Sequence, residues 1–258
     1  MIDKVIQIAK EAGEIVRDGF GKNFSVEYKT NASNLVTEID KKSEAAIIAF
    51  INKEFPTHAV LAEESGVHKS TSEYLWVVDP IDGTTNFAHG LPIFSVSIGV
   101  QKNNETICGV VYDVMNNTIY SSEKGGGAFR DGQKLQVSTN GDLEKSCLVT
   151  GFPYNISENP DFAIERFVAF LKTSRAVRRL GSAAIDMCLV ATGVFDGFWE
   201  VELHPWDVCA AKLLIEEAGG IVTNFAGEQI DIYSQQFLAC NKNIYEKMIE
   251  VLLIRDRE

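Results

Sequence analysis

The sequence predicts an α/β chain in two parts, an α+β region over residues 1–140 and an α/β region over 141–258, with no flexible linker between them. Three observations carry that reading. The chain opens with apolar residues at helical spacing. From Ala59 it changes to short β-rich runs joined by hairpin-type turns. After about residue 140, strand-like and helix-like segments alternate.

Taken in order, Ile2, Val5, Ile6, Ala9, Ala12 and Val16 mark the first helix, and a second amphipathic segment from Lys41 to Phe55 stops at Pro56. Between them, Phe24 to Thr37 is polar and without a clear period, with Asn31, Ser33 and Asn34 as turn formers, and reads as a mobile loop. Strands are expected at 59–62, 75–78, 94–101, 106–114, 118–121 and 134–137. Their connectors, Lys102 to Glu105, Asn116-Asn117 and Asp131-Gly132, make much of this sheet antiparallel. The second part should hold strands at 146–150, 175–180, 194–199, 220–223 and 237–240, with helices near 160–173, 182–192, 207–218 and 242–254.

Composition narrows the functional classes. A formal net charge of −12, with no basic block longer than Arg178-Arg179, disfavours direct nucleic-acid binding. The same charge repels a phosphorylated substrate, so a phosphate site here needs local positive charge, and bound metal is the obvious source. The chain has no apolar run of bilayer-spanning length, and Met1-Ile2-Asp3-Lys4 does not read as a signal peptide, which predicts a cytoplasmic protein without membrane contact. Cys108, Cys147, Cys188, Cys209 and Cys240 are odd in number and widely spaced, and read as buried thiols in a reducing compartment.

The most informative stretch is Trp76-Val77-Val78-Asp79-Pro80-Ile81-Asp82-Gly83-Thr84-Thr85. An apolar strand ends in two carboxylates that would repel each other without a cation between them, and Mg²⁺ favours oxygen ligands of this kind. Ile81 can add its backbone carbonyl. Gly83 permits close backbone approach, and the amides of Gly83, Thr84 and Thr85 can form an anion-binding nest at the start of a short helix. A plain turn after a strand also explains Asp82-Gly83. The aspartate-nucleophile motif Asp-x-Asp-Gly-Thr has one residue between its aspartates, whereas two stand here. Glu63-Glu64 follows another strand, although adjacent glutamates are commonly just solvated. Asp40 and Asp207 open helices, where capping alone accounts for an aspartate.

Together these blocks resemble the inositol monophosphatase family. The resemblance rests on Asp79-Pro80-Ile81-Asp82-Gly83-Thr84, Glu63-Glu64-Ser65, Trp206-Asp207 through Glu217-Ala218-Gly219-Gly220, Asn34-Leu35-Val36-Thr37-Glu38-Ile39-Asp40, and Gly181-Ser182-Ala183-Ala184. It runs nearly end to end. It implies a layered αβαβα sandwich with a mostly antiparallel N-terminal sheet and a mixed C-terminal sheet.

The resemblance also implies a site. Glu63, Asp79 and the Ile81 carbonyl would hold one Mg²⁺; Asp79, Asp82 and Asp207 would hold a second, with two or three ions per active site. Thr84, bonded to Asp40, would help deprotonate the attacking water, with Glu63 nearby. The Gly83 and Thr84 amides would bind phosphate, while Asp82, Ser182, Ala183 and Glu200 would hold substrate hydroxyls. No histidine among His58, His68, His89 and His204 matches a catalytic position. The implied activity is Mg²⁺-dependent hydrolysis of a small phosphate ester, inositol 1-phosphate first, by a lithium-sensitive homodimer. NADP or fructose 1,6-bisphosphate as substrate, and a regulatory binding role, are the alternatives.

Overall fold

The computed structural model describes residues 1–29, 34–68 and 71–253. It begins with α1 (Ile2–Gly19), β1 (Val26–Tyr28), β2 (Leu35–Thr37), α2 (Glu38–Glu54), β3 (Ala59–Ala62), β4 (Gly66–His68) and β5 (Tyr74–Asp82). A short α3 (Thr84–Ala88) precedes β6 (Ser95–Lys102), β7 (Glu105–Asp113), β8 (Thr118–Glu123), β9 (Gly127–Arg130) and β10 (Gln133–Lys134). The remainder is β11 (Cys147–Thr150), α4 (Ala163–Thr173), β12 (Ala176–Arg178), α5 (Ala183–Ala191), β13 (Gly197–Val201), α6 (Pro205–Glu217), β14 (Ile221–Thr223), β15 (Gln236–Cys240) and α7 (Tyr245–Leu252).

Eight strands form one sheet in the order β10-β9-β8-β7-β6-β5-β3-β4, and five form another in the order β12-β11-β13-β15-β14. The first is antiparallel except where β3 runs parallel to β5. The second is mixed, because β11 pairs in parallel with both β12 and β13 while β15 runs antiparallel to its neighbours.

Side-chain alternation in the strands sorts the core into three slabs. Trp76, Val78, Ile98, Val110 and Tyr112 face α1 and α2, burying Val5, Ile8, Ala12 and Ile47. The intervening Val77 and Val111 face the opposite way, onto α5 and α6, which also cover Val149, Phe198 and Ala239 of the second sheet. Leu148, Trp199 and Leu238 point to the far side, against Phe170 of α4 and Met248 of α7. Layers of helix, sheet, helix, sheet and helix follow directly. The central helix α6 buries Val208, Cys209, Ala210, Ala211, Leu213, Leu214 and Ile215, as a helix enclosed between two sheets must.

The expected hairpin turns are present, with Asn103, Asn104, Asn117 and Asp131 at positive φ. The segment read as a mobile loop instead pairs at its ends, Val26 to Thr37 and Tyr28 to Leu35; Asn31 and Ser33 lie outside the described residues. The strand expected at 134–137 stops at Lys134, because the chain leaves the sheet edge and Val137 donates its amide to the Ala218 carbonyl at the end of α6. Cys108, Cys188, Cys209 and Cys240 are buried, Cys147 is half-buried, and all five are free thiols. Among the described residues no helix is long and apolar enough to cross a membrane.

Candidate active site

One cleft of about 780 Å³ gathers residues from the ends of β5, β11 and β13 and the first turns of α3, α5 and α6. In a regular strand, Asp79 and Asp82, three apart, would face opposite sides of the sheet. The pairing of β5 with β6 is irregular between these two residues. Pro80, which lacks an amide for the ladder, sits in that bulge, and the reset alternation turns both carboxylates into the cleft. Asp207, in the first turn of α6, completes a group whose ligand atoms all lie within 4.8 Å of one another.

Gly83 follows with φ of 97°, and an added Cβ would stand 3.1 Å from both the Gly181 and Ile93 carbonyls. Only glycine turns the chain so tightly here, and Gly83, Thr84 and Thr85 line the cleft. Across from it, α5 directs its N-terminus at Asp82. Ser182 donates its hydroxyl to Asp82, and the Ala183 and Ala184 amides donate at 3.2 and 2.9 Å. Ser182 and Ala183, expected to touch substrate, are thus engaged first with Asp82.

Asp40 sits behind this wall. It forms a capping box with Thr37 at the start of α2, and the Thr84 hydroxyl lies 3.0 Å from its carboxylate and 2.9 Å from the Ile81 carbonyl. The capping role and the expected contact with Thr84 therefore coexist in one residue. Glu63 lines the same cleft, but its carboxylate is held at 2.8 Å by Lys29, which also reaches Glu64 at 2.6 Å.

The electrostatics record crowded charge. Burial, then Glu63, Asp82 and Asp207, push Asp79 well above the usual carboxylate range. Burial and Asp82 do the same to Asp207. Asp82 rises to about 6 through burial, although Ser182 and the Ala184 amide pull the other way. Burial raises Asp40 to about 6 against the bonds from Thr37, and burial with Glu63 raises Glu64 to about 7. Burial opposes the charge of Lys29, yet Glu63 and Glu64 outweigh it and raise its pKa.

This donor set fits divalent cations. It consists of hard oxygens, converging and mutually repelling, and a lysine ammonium is already drawn against one member. Asp79, Asp82 and Asp207, with Glu63 and the Ile81 carbonyl alongside, are the groups that would hold them.

A second acidic pair lines the cleft further along. Glu200 is packed against Gly151 so closely that a Cβ there would meet its carboxylate at 2.2 Å. Burial and Asp82 push Glu200 up to about 8, opposed by Arg179. Asp186, in the first turn of α5, is 1% exposed, and one of its oxygens has no hydrogen-bond partner. Burial, Glu200 and Asp82 raise it well above the usual range, again against Arg179. Sequence reasoning missed Asp186, Arg179, Phe152 and Lys29. Arg178-Arg179 was visible as a basic pair, but nothing in one sequence places it opposite Glu200. His89 and His204 also line the cleft; His204 stacks on Trp206 at 4.9 Å.

A family model described as the inositol monophosphatase family matches residues 1–257. The chain is 42% identical to phosphatase IMPL1, chloroplastic, of Arabidopsis thaliana, covering 96% of this chain and 68% of that one. It is 39% identical to Nus factor SuhB of Salmonella typhimurium, over 96% of this chain and 94% of that protein. The solved structure of inositol monophosphatase from Anabaena superposes with a TM-score of 0.88 at 39% identity, covering 98% of this chain and 94% of the other.

Proposed function

The chain belongs to the inositol monophosphatase family, and from that premise we propose that it is a Mg²⁺-dependent phosphatase hydrolysing inositol 1-phosphate to inositol and phosphate. The observation that carries this reading is the meeting of the Asp79, Asp82 and Asp207 carboxylates with the Thr84–Asp40 hydrogen bond in one cleft. Bound magnesium would supply charge that acidifies water and neutralises the phosphate and leaving oxygens.

The chain's own residues do the rest. Asp79, Asp82, Asp207 and Glu63, with the Ile81 carbonyl, hold the cations. The first amides of α3, from Gly83 and Thr84, receive phosphate oxygens. Thr84 Oγ1 has one proton to give and donates it toward Asp40 or the Ile81 carbonyl, which leaves its lone pair to accept a proton from water. Asp40, raised to about 6, is a base able to draw that proton near neutral pH. Glu200, with Asp82 and the start of α5 at Ser182 and Ala183, faces the alcohol portion and accepts its hydroxyl protons.

The test is phosphate release from inositol 1-phosphate, NADP and fructose 1,6-bisphosphate, with Mg²⁺ and with chelator. Mg²⁺-dependent preference for inositol 1-phosphate, inhibited by lithium, is the expected result. Preference for another ester keeps the chemistry and changes the substrate. The name of the SuhB relative favours a second reading, a regulatory binding role; release from no ester would support it.

The proposed enzyme is a cytoplasmic homodimer. Five free thiols suit a reducing compartment. On α4, Ile164, Val168 and Leu171 are exposed at positions i, i+4 and i+7, one apolar stripe suited to a second copy. A monomer mass by light scattering would remove the dimer.

A further inference from the structure

Arg179 is the one lysine or arginine lining the cleft among the described residues. Its surroundings there are acidic, with Asp186 and Glu200 both within reach of its field. Such an arginine is ordinarily consumed in an ion pair. Arg179 is not: no hydrogen bond or ion pair among the described residues engages its guanidinium. Instead the guanidinium carbon stands 4.5 Å from the centroid of the Phe152 ring. Phe152 is braced in turn by an edge-to-face contact with Phe167 of α4 at 5.2 Å.

Stacking on an aromatic face orients the guanidinium plane while leaving its N–H fork unspent. That fork matches phosphate or carboxylate in bidentate fashion. Its position is on the alcohol side: it follows β12, stands three residues before Ser182 at the start of α5, and lines the cleft with Asp186 and Glu200. An ester whose reacting phosphate sits on the Gly83–Thr84 turn would therefore extend its far end toward Arg179. The cleft, about 780 Å³, leaves room for more than a single polyol ring.

We infer that Arg179, presented by Phe152, is a specificity residue that binds a second anionic group, a phosphoryl or carboxylate, on those esters whose alcohol portion carries one at its distal end, and so extends the cleft's range beyond inositol 1-phosphate. The inference rests on the phosphatase reading of the same cleft. Arg179 touches neither the carboxylates of the cation site nor Thr84 in the hydrogen bonds described, so it acts on substrate choice and not on the phosphoryl step.

The experiment compares fructose 1,6-bisphosphate with fructose 1-phosphate, esters that share the reacting group and differ only in the distal one, in wild type, Arg179→Ala and Arg179→Lys. The wild type should favour the bisphosphate, and the ratio of kcat/KM values should fall about 10- to 100-fold in Arg179→Ala, the scale of a hydrogen-bonded charge pair. The fall should lie in KM, shrink with added salt, and be partly restored in Arg179→Lys. Because Arg179 is exposed, neither variant threatens the fold. An unchanged ratio, or equal losses on both esters, would overturn the inference while leaving the phosphatase standing. Release from neither fructose ester by a wild type that hydrolyses inositol 1-phosphate would overturn this inference alone; release from none of the three would overturn both.

Discussion

The two sides of the cleft solve the same electrostatic problem differently. On one side Asp79, Asp82 and Asp207 converge, and burial holds all three above the ordinary carboxylate range. On the other, Asp186 and Glu200 are also buried and also raised. Among the described residues the first cluster has no arginine or lysine contact beyond Lys29 on Glu63, so full ionisation calls for cations from solution. The second has Arg179 in its field. A cluster neutralised from within can be set once by folding; one neutralised from outside makes ligand binding part of its stability.

The sharpest way to break that contrast is Asp82→Asn. It removes a charge from the proposed cation site while keeping an oxygen that can accept from the start of α5. Turnover of the preferred ester should fall by at least about 10²- to 10³-fold, the scale of losing a preorganised charge-stabilising group. Independently of activity, saturating Mg²⁺ should raise the wild-type melting temperature, an effect worth about 2.7 kcal/mol at a hundredfold excess over Kd, and should raise the variant's much less. Equal Mg²⁺ stabilisation of both proteins would remove Asp82 from the cation site.

Thr84→Ala comes next. It deletes the hydroxyl between cleft and Asp40, and loss of a positioned proton acceptor should cost about 10²-fold in kcat, with Thr84→Ser retaining most activity. Loss confined to KM would assign Thr84 to binding alone.

These residues were legible because the family blocks are contiguous in sequence, and because strand, bulge and helix start are local events. Asp79, Asp82 and Asp207 stood out through those family blocks, since a turn or a helix cap accounts for each of them alone. The layered fold came with the family resemblance, while the elements themselves were readable from their apolar spacing, as in the run Val208 to Ile215 of α6, broken only by Lys212. The alcohol side was not legible, since Asp186 reads as an ordinary first-turn aspartate and Arg179 as surface charge. Their meeting with Glu200 depends on three segments, β13, α5 and the turn after β12, brought together only by the second sheet. The β1–β2 pair was missed because neither three-residue strand is long enough to carry a period.

On the alcohol side the contrast can be sharpened by pH. Glu200 has a folded-state pKa raised to about 8, above its unfolded value of about 4.3. The folded state therefore binds the extra proton, and stability from this group is fully present below the unfolded pKa and is lost as pH rises through 8. Glu200→Gln keeps an acceptor for Gly151 and has no proton to lose. In metal-free protein the variant should match wild type near pH 4 and pull ahead as pH rises towards 8, by at most about 1.4 kcal/mol per pH unit, a widening gap that melting temperatures across the range would read. A gap that is constant across this range would mean that Arg179 already keeps Glu200 ionised.

The smallest effect belongs to Lys29, the one place among the described residues where the chain offers its own cation to the solvent-neutralised side. Its ammonium stands 2.8 Å from Glu63 and 2.6 Å from Glu64, so a divalent ion approaching Glu63 meets a carboxylate already paired. The lysine is partly solvated, with 24% of its side chain exposed, and an ion pair of this kind is worth about 0.5–1 kcal/mol after screening. Lys29→Gln removes the competitor and keeps a hydrogen-bond donor, so Mg²⁺ binding measured by calorimetry should tighten about two- to fivefold. The gain should vanish in Lys29→Gln combined with Glu63→Gln, because the competition is for that carboxylate. If Mg²⁺ binds more weakly to Lys29→Gln, the ammonium supports the cation site instead of contesting it, and the division between a cluster neutralised from within and one neutralised from outside fails at Glu63.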